Sequence, residues 1–276
     1  MARQPADTVP AVFTAIERVK MNSPAFCTNF FPVPNKLQSW IEHGELFIEV
    51  RDEAAFFWRK DRDFWRLYFA AASLAGLRQA VAGVPGLGTE PVVMDLVGNE
   101  VVLGDQLALW QTAGFRPYTR LRRMVRSGQS GPPPSGGDGP RPVYADKADA
   151  PAIRDLLNES FDRYAEQLPA LYEIEPAAES RQILVMKDRE MLGGLLFFET
   201  RGLASTIRYW LVAKPFRTSR FGSALMRHYL AAQGAVRRFT LWVNAENENA
   251  IQKYRHYGYA PDELVDCVLV NQIIHP

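Results

Sequence analysis

The sequence predicts an α/β protein of two domains. Three observations support this prediction: the length, a break in composition near the middle, and a similar order of apolar segments on both sides of that break. A chain of 276 residues is long enough for two hydrophobic cores. Its 47% hydrophobic and 23% charged residues are typical of a globular protein.

The compositional break is the segment 127–140, SGQSGPPPSGGDGP. Glycine, proline and serine dominate it, so it has few side chains that could be buried, and such segments behave as flexible linkers. We therefore expect a first domain at 1–126, a linker at 127–140 and a second domain at 141–276.

Hydrophobic periodicity predicts strands and helices in both domains. In the first domain, the predicted strands are 45–50, 54–59, 64–71, 91–96 and 118–125, and the predicted helices are 73–81 and 105–112. In the second domain, the predicted strands are 142–145, 182–187, 191–200, 205–212, 239–243 and 263–270, and the predicted helices are 148–161, 221–233 and 249–257.

The two domains also share a short motif, glycine-aromatic-x-proline, just after a predicted helix. It begins at Gly114 in the first domain and at Gly258 in the second. Four residues before the glycine stand Trp110 and Tyr254, respectively. Agreement in element order and in this motif favours a degenerate tandem repeat.

Charge and composition argue against several functional classes. A net charge of +1 disfavours nucleic acid as a main partner. No apolar run approaches the roughly 18–20 residues of a membrane span, and the N-terminal residues lack the pattern of a signal peptide. The two cysteines, Cys27 and Cys267, are too few for a disulfide framework or a cysteine metal cluster. We expect a cytoplasmic protein with no membrane partner, and leave the oligomeric state open.

One segment has the features of an anion site. The predicted strand 205–212 leads into a loop with Arg217 and Arg220, and Gly222 and Ser223 follow at the start of a helix. The N-terminus of a helix offers unpaired N–H groups and a positive dipole end, and arginines add donors. The plainer alternative is a surface turn with solvated arginines.

A second segment, 241–259, predicts a capped helix. Asn247 is a suitable N-cap residue and Gly258 a suitable C-terminal glycine. Ala250, Ile251 and Tyr254 share one helical face. Taken alone, this segment predicts only an amphipathic helix with a core tyrosine.

Together, the two segments resemble the GCN5-related N-acetyltransferase (GNAT) family. The residues 247–259, Asn-x-x-Ala-Ile-x-x-Tyr-x-x-x-Gly-Tyr, are similar to a late motif of that family. The loop 217–222 is similar to the family's pyrophosphate motif, Arg/Gln-x-x-Gly-x-Gly/Ala. One position departs from the motif, because Arg220 stands where the first glycine is expected.

The resemblance implies two GNAT-like domains, each a mixed, mostly antiparallel sheet flanked by helices, with acetyl-CoA as co-substrate and no metal. Tyr254 would protonate the departing thiolate, which is a sensible role for a positioned phenol. The implied coenzyme contacts are backbone groups of Leu211, Val212 and Ala213 for the pantetheine arm, the loop residues Arg217, Thr218, Ser219, Arg220, Phe221, Gly222 and Ser223 for the pyrophosphate, and Asn247 and Asn249 at the start of the late helix.

The general base is not identifiable from the sequence. Some members of the family carry a glutamate on the strand before the pyrophosphate loop, but 205–212 contains none. Glu199 and Glu246 are the nearest carboxylates in the pattern, and each is more typical of a solvated surface. His228 and His256 lack the partner spacing of a metal site or a catalytic triad.

The implied activity is transfer of an acetyl group to a primary amine, expected on a small molecule. The late motif also resembles enzymes that acetylate protein N-termini. Tandem folds of this kind occur in aminoacyl-tRNA-dependent peptide ligases, but the loop 217–223 argues against that activity, because such ligases need no pyrophosphate site for coenzyme A. A non-catalytic acyl-CoA sensor or scaffold is a further alternative. The first domain lacks the arginine loop and has Trp110 in place of the tyrosine, so we expect it to have lost coenzyme binding.

Overall fold

The computed structural model describes residues 3–21, 23, 25–82, 90–128 and 141–272. It divides into two compact units. Unit 1 is Met1–Arg120 with Leu264–Pro276, and unit 2 is Leu121–Glu263. The predicted fold class, sheets flanked by helices, is confirmed.

The first half of the chain contains seven strands and four α-helices within the described residues. In chain order they are β1 Gln4–Pro5, α1 Val9–Met21, β2 Cys27–Thr28, α2 Pro34–Glu42, β3 Leu46–Val50, β4 Ala54–Asp61, β5 Phe64–Ala71, α3 Leu74–Val81, β6 Val92–Asn99, α4 Glu100–Thr112 and β7 Arg116–Ser127. The elements from β3 onward lie close to their predicted positions, whereas α1 and α2 were not predicted.

The second half contributes the remaining elements. They are β8 Val143–Tyr144, α5 Ala150–Ser160, α6 Leu171–Glu179, β9 Ile183–Asp188, β10 Met191–Arg201, β11 Ala204–Val212, α7 Phe221–Ala232, β12 Arg238–Asn244, α8 Glu248–His256 and β13 Ala260–Val270. Helix α6 was not predicted, because Pro176 inside it interrupts the helical pattern. Within the described residues, no helix is long and apolar enough to cross a membrane.

The sheet of unit 2 has the strand order β7-β12-β11-β10-β9-β8. Its neighbouring strands are antiparallel except for β11 and β12, which are parallel. A parallel pair needs a crossover connection, and α7 provides it. Helices α7 and α8 pack on one face of this sheet, and α5 and α6 pack on the other.

The sheet of unit 1 has the same arrangement, in the order β13-β6-β5-β4-β3-β1. Here β5 and β6 form the parallel pair, and α3 is the crossover helix. Helices α3 and α4 pack on one face, and α1 and α2 pack on the other. The difference is β2, which pairs with β5.

Each sheet is closed by a strand from the opposite half of the sequence. In unit 2, residues 121–127 of β7 pair with β12, and in unit 1, residues 264–270 of β13 pair with β6. The predicted linker 127–140 lies outside the described residues except for Ser127, the last residue of β7, and Gly128. The compact units thus contain other residues than the predicted ranges 1–126 and 141–276. The reason is that most of β7 pairs with a strand of unit 2, and most of β13 pairs with a strand of unit 1.

Candidate functional site

The two parallel strands of unit 2 part before they end. Strands β11 and β12 pair only from Ala204–Arg238 to Ile207–Leu241. Strand β11 continues to Val212 and β12 continues to Asn244. We call the space between residues 208–212 and 242–244 the wedge of unit 2. Among the residues that the structure describes, backbone hydrogen-bonding groups of β11 have no strand partner on the side of this wedge.

The alternating hydrogen bonds between β10 and β11 determine which residues of β11 turn their backbone N–H and C=O groups toward the wedge. The N–H of Ala213 donates to the carbonyl of Gly193 at 2.9 Å. Backbone groups of alternate residues point to the same side, so Leu211 is also turned toward β10. Trp210 and Val212 are turned the other way, into the wedge. Of the three predicted backbone contacts, Val212 is therefore the one that can serve a ligand in the wedge, while Ala213 uses its N–H within the sheet.

The loop after β11 is short and ordered by its own hydrogen bonds. A 3-10 turn at Lys214–Phe216 follows Ala213. The Ser219 hydroxyl donates to the Phe216 carbonyl and accepts from the N–H of Phe221. Ser219 therefore has an identifiable structural role, whereas the side chains of Arg217 and Thr218 are exposed.

Arg220 adopts a left-handed backbone conformation immediately before α7. Its φ is 64° and its ψ is 10°. This conformation costs a residue with a Cβ atom about 1–2 kcal/mol, and glycine avoids the cost. The geometry explains why a glycine is expected in the motif at this position.

The N-terminus of α7 faces the end of β11. Helix geometry leaves the N–H groups of Gly222 and Ser223 without partners inside the helix. A Cβ atom on Gly222 would lie 3.3 Å from a methyl group of Val212, so glycine allows this close approach. The exposed guanidinium groups of Arg217 and Arg220 lie on the loop that leads into these N–H groups. Such an arrangement binds phosphate groups.

Trp210 connects the three elements of the site, and sequence analysis did not single it out. Its indole N–H donates to the carbonyl of Gly222 at 3.1 Å. Its ring centroid lies 5.4 Å from that of Tyr254 and 5.8 Å from that of Tyr257. Trp210 thus joins β11 to the start of α7 and to α8. The only sequence signal was its position next to the predicted loop, on the strand face opposite to Tyr209.

Tyr254 lies on α8 with its ring against Trp210 on one side and Tyr259 on another. Only 8% of the residue is exposed. Burial raises the pKa of Tyr254, and the negative charge of Glu166 raises it further. The phenol therefore keeps its proton at neutral pH. A protonated phenol beside the wedge can act as a proton donor there.

The two asparagines at the start of α8 have different surroundings. The side-chain oxygen of Asn247 accepts from the N–H of Ala250 at 3.1 Å, which confirms the predicted N-cap. Asn249 is exposed on the first turn of the helix. For Asn247 the structure therefore gives a capping role, in which its side chain satisfies an N–H group at the start of α8.

The segment between α5 and α6, residues 161–170, is attached to β11. The hydroxyl of Tyr209 donates to the carbonyl of Gln167 at 2.6 Å, which attaches this segment to β11. Burial raises the pKa of Tyr209 to about 12, and the charge of Glu166 contributes to that rise as it does for Tyr254. Because α6 was not predicted, sequence reasoning had no basis for locating Glu166.

The carboxylates and histidines considered from sequence have other surroundings. Glu199 forms ion pairs with Arg208 at 2.8 Å and Arg201 at 3.0 Å, and Glu246 is exposed. His228 contacts the ring of Tyr144, and His256 contacts that of Tyr257. Among the described residues, no group of three or more His, Cys, Asp or Glu side chains could hold a metal ion.

The equivalent wedge of unit 1 is filled by the chain itself. Among the described residues, strands β5 and β6 pair at Trp65–Val92 and Arg66–Val93. Beyond that point the segment 25–30, which contains β2, lies along β5. The Asn29 amide donates to the carbonyls of Leu67 and Asp95, at 3.2 and 3.0 Å, and its oxygen accepts from the N–H of Phe69 at 2.7 Å. We call residues 25–30 the filling segment.

The start of α3, the crossover helix of unit 1, has different surroundings from the start of α7. Only Ala72 and Ser73 separate β5 from α3, and the Ser73 hydroxyl caps the helix by accepting from the N–H of Gly76. The side chain of Glu53 lies against Gly76, where a carboxylate already faces the positive end of the helix dipole. Trp110, at the position that corresponds to Tyr254, is fully buried against Phe69 and Phe115.

Comparison with known proteins agrees with this geometry. Residues 150–259 match the sequence profile of the acetyltransferase (GNAT) family, and this range contains the arginine loop and Tyr254. No curated protein shows significant sequence similarity to the chain.

Solved structures resemble much more of the chain. A GCN5-related N-acetyltransferase from Sphaerobacter thermophilus has a TM-score of 0.56 at 15% identity, over 82% of this chain and 80% of its own. A Drosophila protein has a TM-score of 0.61 at 13% identity, over 98% and 99%. A tandem GNAT protein from the clavulanic acid biosynthesis pathway has a TM-score of 0.55 at 12% identity, over 91% and 86%. At these identities the similarity establishes the fold, which is that of GNAT proteins.

Proposed function

We propose that the protein transfers an acetyl group from acetyl-CoA to a primary amine of a small molecule, in the wedge of unit 2. The observation that carries this proposal is the meeting of three features around Trp210: the unpaired edge of β11, the N-terminus of α7 with its arginine loop, and Tyr254. The match of residues 150–259 to an acetyltransferase family supports the same reaction.

The residues around the wedge fit the chemical groups of coenzyme A. The pantetheine arm carries amides, and Val212 turns backbone N–H and C=O groups of β11 to the side where amides could pair with them. The diphosphate carries negative charge, and the N–H groups of Gly222 and Ser223, with Arg217 and Arg220, supply donors and positive charge. When bound, acetyl-CoA supplies an acyl group on a thiol leaving group.

In this reaction Tyr254 is the general acid. Its phenol holds a proton at Oη beside the wedge, because burial raises its pKa. A buried phenol is a weaker acid than an exposed one, but the same burial also makes a departing thiolate more basic. The proton can therefore still pass to sulfur as the carbon–sulfur bond breaks. The amine nitrogen, now bonded to the acyl carbon, gives up a proton to solvent, and solvent returns a proton to the Tyr254 phenolate.

Unit 1 is, in this proposal, a degenerate copy of unit 2 that binds no coenzyme. The two units share strand order and the position of the parallel pair. The filling segment pairs with backbone groups of β5, the strand that corresponds to β11 with its Val212. The negative charge of Glu53 repels a phosphate from the start of α3. We therefore propose one acetyl-CoA site in each chain.

The test is release of free thiol when the full-length protein is incubated with acetyl-CoA and a panel of primary amines. The panel includes small polyamines, aromatic ethylamines, amino sugars and a peptide with a free N-terminus. Thiol release that depends on one of the small amines supports the proposal. Release with the peptide alone would favour the N-terminal acetyltransferase. Tight coenzyme binding with no release for any amine would favour an acyl-CoA sensor.

A further inference from the structure

Arg126 is buried in unit 2, although it stands before the predicted linker in the sequence. It lies near the end of β7, opposite Phe239 of β12, and 5% of the residue is exposed. Burying a guanidinium group costs free energy unless the group is given hydrogen-bond partners. The partners of Arg126 therefore indicate what this arginine does.

One of these partners is the C-terminal end of α8. The Nε–H of Arg126 donates to the carbonyl of Tyr257 at 2.9 Å, and an Nη1–H donates to the carbonyl of Ser127 at 3.3 Å. The last carbonyls of a helix have no partner inside the helix and carry the negative end of its dipole. A buried cation at this end therefore satisfies a carbonyl and interacts favourably with the dipole.

This contact lies in the turn that follows Tyr254. The carbonyl of Tyr254 accepts from the N–H groups of Tyr257 and Tyr259, at 3.0 and 3.1 Å. Between them Gly258 turns the chain with a φ of 81°, and a Cβ atom there would lie 3.5 Å from Nε of Arg126. Arg126 thus packs against the turn from α8 into β13, about one helical turn from Tyr254.

Phe239 holds the guanidinium group on the side of the sheet. Its ring centroid lies 5.4 Å from Cζ of Arg126, a distance at which a cation is attracted to an aromatic face. Beyond the turn, the ring of Tyr259 lies 6.1 Å from that of Tyr254. The paired strands β7 and β12, Arg126 and the end of α8 thus form a continuous set of contacts that ends at the ring of Tyr254.

We propose that Arg126 is a positioning residue for the general acid: by binding the end of α8, it fixes the Tyr254 phenol beside the wedge. This proposal rests on the acyl transfer proposed above, because it concerns the proton donor of that reaction. Displacing a reacting group by about 1 Å can lower a rate by a factor of about 10². A shift of α8 that leaves the fold intact should therefore be visible in kcat.

A double-mutant cycle on the full-length protein tests this role. Arg126→Met keeps the apolar part of the side chain but removes the guanidinium group, and it is combined with Tyr254→Phe. Steady-state thiol release gives kcat, calorimetry gives the affinity for coenzyme A, and thermal unfolding shows whether each variant is folded at the assay temperature. Arg123→Met is the control, because Arg123 lies on the same strand and binds Asp262, which is outside α8.

We expect Arg126→Met to lower kcat about 10- to 100-fold, with little change in the affinity for coenzyme A. The loss should disappear in the Tyr254→Phe background, because the position of the acid matters only where the acid is present. Arg126→Lys keeps the charge but not the planar guanidinium group, so it should lose less activity. Arg123→Met should keep the parental kcat.

Two results overturn the assignment of Arg126: a parental kcat in Arg126→Met, or a loss by the same factor in both backgrounds, as general destabilisation would give. If Arg126→Met is unfolded at the assay temperature, Arg126→Lys takes its place in the cycle, with the same criteria.

The same measurements separate this assignment from the proposed function. If the wild-type protein releases no thiol with any amine, the proposed function is wrong and this inference falls with it. If the wild-type protein is active but Tyr254→Phe keeps the parental rate, Tyr254 is not the general acid and has no position for Arg126 to fix. An active protein that needs Tyr254 but shows an additive cycle contradicts the role of Arg126 alone.

Discussion

Units 1 and 2 arrange their strands in the same order, yet only unit 2 leaves its wedge open. In unit 1 the filling segment pairs with β5, and Ser73 and Glu53 satisfy the start of α3. In unit 2 the corresponding positions hold an unpaired strand edge and an arginine loop. The comparison teaches that the same strand arrangement can hold a wedge filled by its own chain or one that its own chain leaves unfilled, while the sheet and core are kept.

The largest effect on activity should come from Tyr254, whose counterpart in unit 1 is Trp110. The substitution Tyr254→Phe keeps the ring against Trp210 but removes the phenolic proton. We expect kcat to fall by roughly 10²–10⁴, with little change in coenzyme affinity or stability. Steady-state thiol release measures the rate. Tyr257→Phe is the matched control, because Tyr257 contacts the same tryptophan. If Tyr254→Phe keeps the parental rate, Tyr254 is a core residue without a catalytic role.

The next largest effect should come from the filling segment of unit 1. Asn29→Ala removes three hydrogen bonds that span the wedge between β5 and β6. We expect the free energy of unfolding to decrease by about 2–4 kcal/mol, since backbone groups lose their partners. Urea denaturation measures it, with the exposed Asn35→Ala on α2 as control.

The Asn29→Ala variant also tests why unit 1 is expected to bind no coenzyme. Calorimetry with acetyl-CoA should still give one site per chain in Asn29→Ala, because Glu53 and the absence of a loop before α3 remain unfavourable to phosphate. A second site appearing in this variant would mean that the filling segment alone blocks unit 1.

Arg217 should account for a smaller part of coenzyme binding. Arg217→Ala removes one charge-assisted contact from the loop and should weaken acetyl-CoA binding by about 1.5–3 kcal/mol. The exposed Arg201, at the end of β10, provides a control substitution to alanine. Equal affinities of Arg217→Ala and the wild-type protein would show that the loop does not contact the diphosphate.

Arg220 tests the backbone conformation of the loop. Arg220→Gly and Arg220→Ala both remove the guanidinium group, but only glycine adopts the left-handed conformation without strain. The glycine variant should be the more stable of the two by about 1 kcal/mol. Both should bind acetyl-CoA within a few-fold of each other. Thermal unfolding with and without coenzyme measures these differences, and greater stability of the alanine variant would contradict the assignment of strain.

The pH dependence should show the smallest effect. Burial raises the pKa of Tyr254, so its catalytically useful form, the neutral phenol, persists to higher pH than in an exposed tyrosine. We expect no falling limb in kcat from this group around pH 10, the ordinary range of tyrosine. A falling limb there that is absent in Tyr254→Phe would show that the phenol ionises in its ordinary range.

The sequence was informative where local chemistry and spacing carry the signal. Gly222, Ser223 and Tyr254 lie at the wedge, and Asn247 caps its helix as predicted. Trp210 was missed, because its contacts join elements that are far apart in sequence. The orientation of Leu211, Val212 and Ala213 likewise depends on the register with β10, which the sequence does not encode locally.

The closure of each sheet by a strand from the opposite half has a consequence for synthesis. During translation, β13 follows its partner β6 only after nearly all of unit 2 has been synthesised. Strand β7, in contrast, is synthesised before its partner β12 and must wait for it. A protease cut within 129–140 would yield two fragments that each need a strand carried by the other. We therefore expect such fragments to regain structure when mixed and to stay incomplete when kept apart.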